Sequence, residues 1–223
     1  MTEEEKFTAT PNWTDALKDI TQLQHQQNIL LISGSVAMMI AKKSVADNPP
    51  HITTSDFVGI NDIDVATNGF ADKSTISTIH HISTQTNTPI EINPIFFNCT
   101  YPSSPVRDLA IRTATVILDN QTADLSYTTP EFLLLSLADQ TPTDKSPQEK
   151  ISRKIVDIQQ SPSYSESNFL RLAQHELIIR REMNNQTFGL WKQNIIAQLS
   201  NDNFHETLRT ASDSPRSKLR GII

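Results

Sequence analysis

The chain has 223 residues, 37% of them hydrophobic and 20% charged, with 19 Lys+Arg against 25 Asp+Glu for a formal net charge of -6. That length fits one large domain or a core with a smaller second module, and no stretch approaches the apolar run that a membrane-spanning helix needs. The acid excess excludes nucleic-acid attraction by bulk charge, so any RNA contact has to use a local basic patch.

Residues 1–10 read as a polar tail, acidic where a secretory leader is basic and then apolar, which points to the cytoplasm. The one cysteine, Cys99, excludes a disulfide framework and a Cys-rich zinc site, and is expected as a buried structural thiol. Thr14 is the expected cap of a helix in which Trp13, Leu17, Ile20 and Leu23 recur at helical spacing as far as Gln26. Ile29 to Ile32 predicts a short strand that ends at Ser33-Gly34-Ser35, and Val36 to Ala41 continues as a helix. Residues 45–60, with Pro49, Pro50 and Gly59, read as a long loop.

Asp62 to Thr67 alternates polar and apolar side chains as a half-buried strand does, and Asn68-Gly69 closes it. A helix is expected within 72–86, where adjacent His80 and His81 diverge, one packed and one solvated. A strand then runs from Pro89 towards Phe97, and for 110–118 helix and strand signals balance. From Thr129 the character changes, with Thr129 as cap, Pro130 at the first helical position and an apolar helix to Asp139. Ile151, Ile155 and Ile158 mark another helix, further helices are expected over 166–183 and 190–199, and the last residues read as a mobile tail. The coarse architecture is an α/β front over 1–128 followed by a helical region over 129–223.

Three features of the front carry chemistry. Gly34-Ser35 at a helix start lets backbone N–H groups approach a phosphate, with the helix dipole favouring negative charge and a hydroxyl as extra donor. Asp62 and Asp64, two apart on a strand, project from one face, and two carboxylates this close repel unless a cation lies between them. Mg²⁺ suits such a pair, because it takes one or two protein carboxylates and completes its octahedron with water and phosphate oxygens. Glu91, between Ile90 and Ile92, repeats the pattern and supplies a third carboxylate if its strand pairs beside the first. Three carboxylates, two Mg²⁺ ions (or Mn²⁺) and a phosphate cradle describe in-line phosphoryl or nucleotidyl transfer.

The run Leu31-Ile32-Ser33-Gly34-Ser35, then Asp62-Ile63-Asp64-Val65, then Ile90-Glu91-Ile92, resembles the nucleotidyltransferase superfamily that includes DNA polymerase β. Thr129-Pro130-Glu131-Phe132-Leu133-Leu134, followed by Arg153-Lys154-Ile155-Val156-Asp157-Ile158, resembles the AbiEii-type abortive-infection toxins. The resemblance covers Ile29 to Ile158 and implies a polymerase β-like core, a small mixed sheet flanked by helices, followed by an α-helical C-terminal region. It implies that Gly34 and Ser35 hold the triphosphate, that Asp62 and Asp64 bind the metals, and that Glu91 is third ligand and base towards the acceptor hydroxyl; Asp157 matches a later acidic position. The implied substrates are an NTP and an RNA (tRNA) or protein acceptor, with an antitoxin as partner and no membrane. Two departures stand out. The gap from Ser35 to Asp62 is long, so 45–60 reads as an insertion. Ser136 stands where the AbiEii type carries a Lys, which leaves Lys145, Lys150, Arg153 or Lys154 to neutralise phosphate charge. The alternatives are an antibiotic-type nucleotidyltransferase acting on a small molecule and a catalytically silent nucleotide-binding module.

Overall fold

The computed structural model describes residues 10–26, 30–69, 71–138 and 148–182. The tail over 1–9, Lys145, the helix expected over 190–199 and the C-terminal tail lie outside the described residues. The class is α/β, as expected, with a mixed sheet flanked by helices and helices following it. The chain divides into two compact units, 1–97 with 111–130, and 98–110 with 131–223. No helix among the described residues is long and apolar enough to cross a membrane.

In the first unit, α1 (Trp13–Gln26) buries Leu17 and Ile20 completely. Its start is capped by Asn12, whose side-chain carbonyl accepts the Asp15 N–H at 3.3 Å; Thr14, the expected cap, lies inside the first turn and donates to that same oxygen. Then come β1 (Leu30–Ile32), α2 (Gly34–Ala46), β2 (His51–Ile52), β3 (Ile63–Asn68), α3 (Lys73–Thr86) and β4 (Ile90–Ile95). Asp72 caps α3 by accepting the Thr75 N–H at 2.7 Å. His80 and His81 are both exposed on α3, so neither is packed.

The balanced segment after residue 110 is a strand, β5 (Ile111–Leu118), and it forms a hairpin with β6 (Gln121–Thr128), which the sequence reading did not foresee. Asp119 and Asn120 both take positive φ, 46° and 66°, the conformation a two-residue hairpin turn needs and one that short Asn and Asp side chains tolerate. The sheet order is β2-β5-β6-β1-β3-β4. β6 pairs parallel to β1, β1 antiparallel to β3, and β3 parallel to β4, so the acid-bearing strands lie side by side on one half of the sheet. The right-handed crossover rule for parallel strands gives α3 its place as the connection from β3 to β4. α1 and α3 pack against each other, and α2 packs on β3 and β6.

The expected 45–60 loop is folded onto the unit. β2 adds to the sheet beside β5, and a 3-10 turn follows over Thr54–Phe57. Lys43 of α2 reaches the Asp56 carboxylate at 2.7 Å and the His51 carbonyl at 2.8 Å, while Thr53 and Asp56 close a reciprocal capping box. Phe57, buried, stacks on Trp13 with ring centroids 5.1 Å apart and planes within 7°. The 45–60 segment is thereby tied to α1, α2 and the sheet edge.

The second unit holds a 3-10 turn over Asn98–Thr100, the short α4 (Arg107–Ala110), α5 (Pro130–Ala138) after its first residue, α6 (Gln148–Gln159) and α7 (Glu166–Glu182). Ile151, Ile155 and Ile158 form the buried face of α6, as their spacing predicts. Two buried carboxylates join segments here. Glu131 accepts the Ser165 N–H at 2.7 Å at the start of α7, and Glu176 accepts the Cys99 N–H and, at 3.4 Å, the Asn98 amide. Cys99 is fully buried, as expected. Burial pushes the Tyr164 hydroxyl well above its ordinary range, and the Glu166 and Glu131 carboxylates push it the same way.

Burial alone raises the Asp56 pKa, but the hydrogen bonds from Lys43 and Thr53 outweigh it and hold the carboxyl below its usual 3.8. A depressed folded-state pKa contributes stability that is complete above the unfolded value and lost as pH falls through the folded one. Asp56→Asn is therefore expected to lower stability at neutral pH by about 1 kcal/mol, or about 2–4 °C in Tm. In paired thermal melts the gap to the wild type should close as pH drops below 3.8; a gap that stays constant into acid removes the Asp56 carboxylate as its origin.

Candidate active site

The site is built where β1 gives way to α2. Leu30, Leu31 and Ile32 are buried, and the Ser33 N–H donates to the Asp64 carbonyl at 2.8 Å, which carries the β1–β3 pairing one residue past β1. Ser33 is extended and makes no side-chain cap to α2. The fully buried Thr128 of β6 donates to the Ser33 hydroxyl and the Ile32 carbonyl, both at 3.3 Å. Gly34 then opens α2 with φ +61°, a conformation that costs an L side chain about 1–2 kcal/mol. A Cβ added at Gly34 would overlap the Asp64 carboxylate and lie 2.8 Å from its Cγ. Position 34 thus requires glycine for its backbone angle and again for the acid that lies against it.

Strand alternation sets the faces of β3. Ile63, Val65 and Thr67 are fully buried on one side, while Asp64 and, just ahead of the strand, Asp62 are half-buried on the other. The β3–β4 register places Glu91 beside Asp64 and Asn93 beside Ala66, so Asp62, Asp64, Glu91 and Asn93 share a face. Asn93 Nδ2 donates to Asp64 Oδ1 at 2.8 Å. It reaches diagonally, and the small side chain of Ala66 leaves room for it. The sequence reading missed Asn93, although the period of two that singled out Glu91 extends to it.

The strands bring Asp62, Asp64 and Glu91 to one face, next to the Gly34-Ser35 helix start, and Ser35 is exposed there. Glu91 is exposed as well, and among the described residues no three His, Cys, Asp or Glu side chains converge into a group that could hold a metal ion. The donor set still fits Mg²⁺: it is made of hard carboxylate oxygens, and Mg²⁺ draws only one or two protein ligands, taking the rest from water and phosphate. The long α2 presents its first N–H groups at Gly34 and Ser35, with no side-chain cap from Ser33, and the helix dipole favours an anion there.

The remaining predicted residues belong to the second unit. Lys150, Arg153 and Lys154 are exposed on α6, as is Asp157. The Ser136 hydroxyl donates to the Leu133 carbonyl of its own helix at 2.9 Å. A shallow cleft of about 310 Å³ between α1 and β6, reached by Lys18 and His25, contains none of the predicted residues.

No family model and no curated protein sequence matches this chain. Among solved structures, an antigenic nucleotidyltransferase-like protein from Paracoccidioides brasiliensis is similar over 88% of this chain and 91% of its own, at 13% identity and a TM-score of 0.36. A TM-score that low leaves the functional reading to rest on the side chains.

Gly34→Ala is expected to destabilise the protein by about 2 kcal/mol or more, from strain at positive φ and overlap with the Asp64 carboxylate. Adding Asp64→Ala should restore part of that loss, because it removes the overlap and leaves the backbone strain. Urea unfolding of both variants measures this; a second substitution that restores nothing refutes the close approach of Asp64 to Gly34.

Proposed function

We propose that this chain is a Mg²⁺-dependent nucleotidyltransferase, moving NMP from an NTP to a hydroxyl of an RNA or protein acceptor. One observation carries the reading: a strand carboxylate, Asp64, lies against a glycine that opens a helix, with Asp62 and Glu91 on the same face. Metal ligands and a phosphate-binding helix start are needed within one substrate's length of each other, and this juxtaposition supplies both residue types.

In this reading the α2 N–H groups and Ser35 bind the triphosphate, and Asp62 and Asp64 hold Mg²⁺. When bound, Mg²⁺ neutralises phosphate charge and stabilises the attacking and leaving oxygens. Glu91 takes the proton of the acceptor hydroxyl, whose oxygen bonds to the α-phosphorus. The bond from that phosphorus to the α,β-bridging oxygen breaks, and pyrophosphate leaves. Ser136 donates to its own helix and brings no charge, so Lys150, Arg153 and Lys154 are the candidates for phosphate or RNA contact. An RNA acceptor such as tRNA, and service as the toxin of an antitoxin-controlled or phage-defence pair, rest on the resemblance of 129–158 to the AbiEii type.

Purified protein incubated with Mg²⁺, each α-labelled NTP in turn and a cell lysate is expected to transfer label to the RNA or the protein fraction, and Asp64→Ala should reduce transfer to background. Label in neither macromolecular fraction but in a small-molecule fraction favours the antibiotic-type alternative. NTP binding without transfer to any fraction favours the silent nucleotide-binding module, and transfer undiminished in Asp64→Ala refutes the site. An RNA acceptor also requires binding that weakens steeply as salt rises.

A further inference from the structure

We propose that Asn93 is the positioning residue of this site, holding the Asp64 carboxylate in the orientation from which it receives a divalent cation. The inference rests on the metal-site reading above and adds a residue to it. Asn93 Nδ2 donates to Asp64 Oδ1 at 2.8 Å, while the other side of the same carboxylate lies against Gly34. The Asp64 side chain is therefore held from two sides, by a donor on β4 and by a helix start.

The chemistry at position 93 is specific. Asp62 and Glu91 share the face of Asp64, and Glu91 is its direct neighbour across the β3–β4 pair, so the local field is one of like charge. An acid at 93 would add to that repulsion, and an apolar residue would offer no donor. A neutral amide gives a charge-assisted hydrogen bond and keeps the carboxylate facing one way. The arrangement depends on register as well, since Asn93 pairs with Ala66 and crosses to Asp64 over that small side chain. Asn93 is exposed and serves no core packing, so a change there acts on the site rather than on the fold. Groups that orient a metal-binding carboxylate typically alter metal affinity by 10–100-fold when removed.

The test is Mn²⁺ binding to the full chain, without nucleotide, followed by electron paramagnetic resonance of the free ion, for wild type, Asn93→Ala, Asp64→Ala and the double variant. Asn93→Ala should weaken Mn²⁺ binding about tenfold, at the lower end of that range, with unfolding in urea close to wild type. Asp64→Ala should weaken it at least as much, and the double variant no further than Asp64→Ala alone, because Asn93 acts through Asp64. A second readout is free of metal: the Asn93 side-chain amide resonances should shift in Asp64→Ala. Binding lost in Asp64→Ala but intact in Asn93→Ala overturns the role of Asn93 and leaves the metal site standing, as does full additivity in the double variant. A wild-type protein that binds no Mn²⁺ overturns the metal reading and the inference together.

Discussion

The close approach of the Asp64 carboxylate to Gly34 is the constraint around which the front of this protein is arranged. It demands glycine at the first position of α2, because a Cβ there would occupy the carboxylate's place. It also demands the β1–β3 register in which the Ser33 N–H meets the Asp64 carbonyl. A slip of one residue along β3 would turn Asp64 into the core and bring Ile63 or Val65 out to the site. The full burial of those two side chains opposes that slip, so core packing and site geometry are fixed by the same register. The contact is electrostatically favourable too, since a carboxylate at a helix N-terminus gains about 0.3–1 kcal/mol from the dipole.

Support for this contact comes from parts of the chain far away in sequence. The β5–β6 hairpin delivers Thr128 to the end of β1, where its hydroxyl ties Ser33 and Ile32 in place. The 45–60 segment lies between the helix start and the acid strand in sequence, and it is held by the Lys43–Asp56 ion pair and the Phe57–Trp13 stack. A segment anchored in this way leads the chain into Asp62 from a fixed point. Asp62 and Glu91 thus enter the site at the same end of the parallel β3–β4 pair, Asp62 from the 45–60 segment and Glu91 from the α3–β4 connection.

Much of this was legible in the residues, for a physical reason. Alternation with a period of two over 62–67 and 89–93 assigns faces directly, and Gly34-Ser35 marks the turn from a strand into a helix. The α6 stripe of Ile151, Ile155 and Ile158 was equally plain. What escaped notice depends on partners that local pattern does not record. Asn93 is an ordinary polar strand residue until the β3–β4 register puts it diagonal to Asp64. β6 is rich in polar residues, and only its pairing with β5 through the Asp119-Asn120 turn makes it a strand. Asn12 and Thr14 are both competent caps, and the choice between them was set by where the chain enters α1. Glu131 and Glu176 are acids on helices, yet both are buried, and each accepts a backbone N–H from a distant segment.

Charge sets the terms on which any substrate enters. The site gathers Asp62, Asp64 and Glu91 on one face of a chain with a net charge of -6, and the first helical N–H groups of α2 offer only the partial positive charge of a helix end. In the proposed reaction a bare triphosphate would meet net repulsion there, whereas one carrying its own divalent cations would meet carboxylates that complete their coordination. Among the described residues the three acids share a face without converging into a metal-holding group, and in the proposed reaction the substrate would bring the remaining ligands. It also gives the Asn93 amide its place in the proposed reaction, since carboxylates that await a cation need a neutral donor to hold them in its absence.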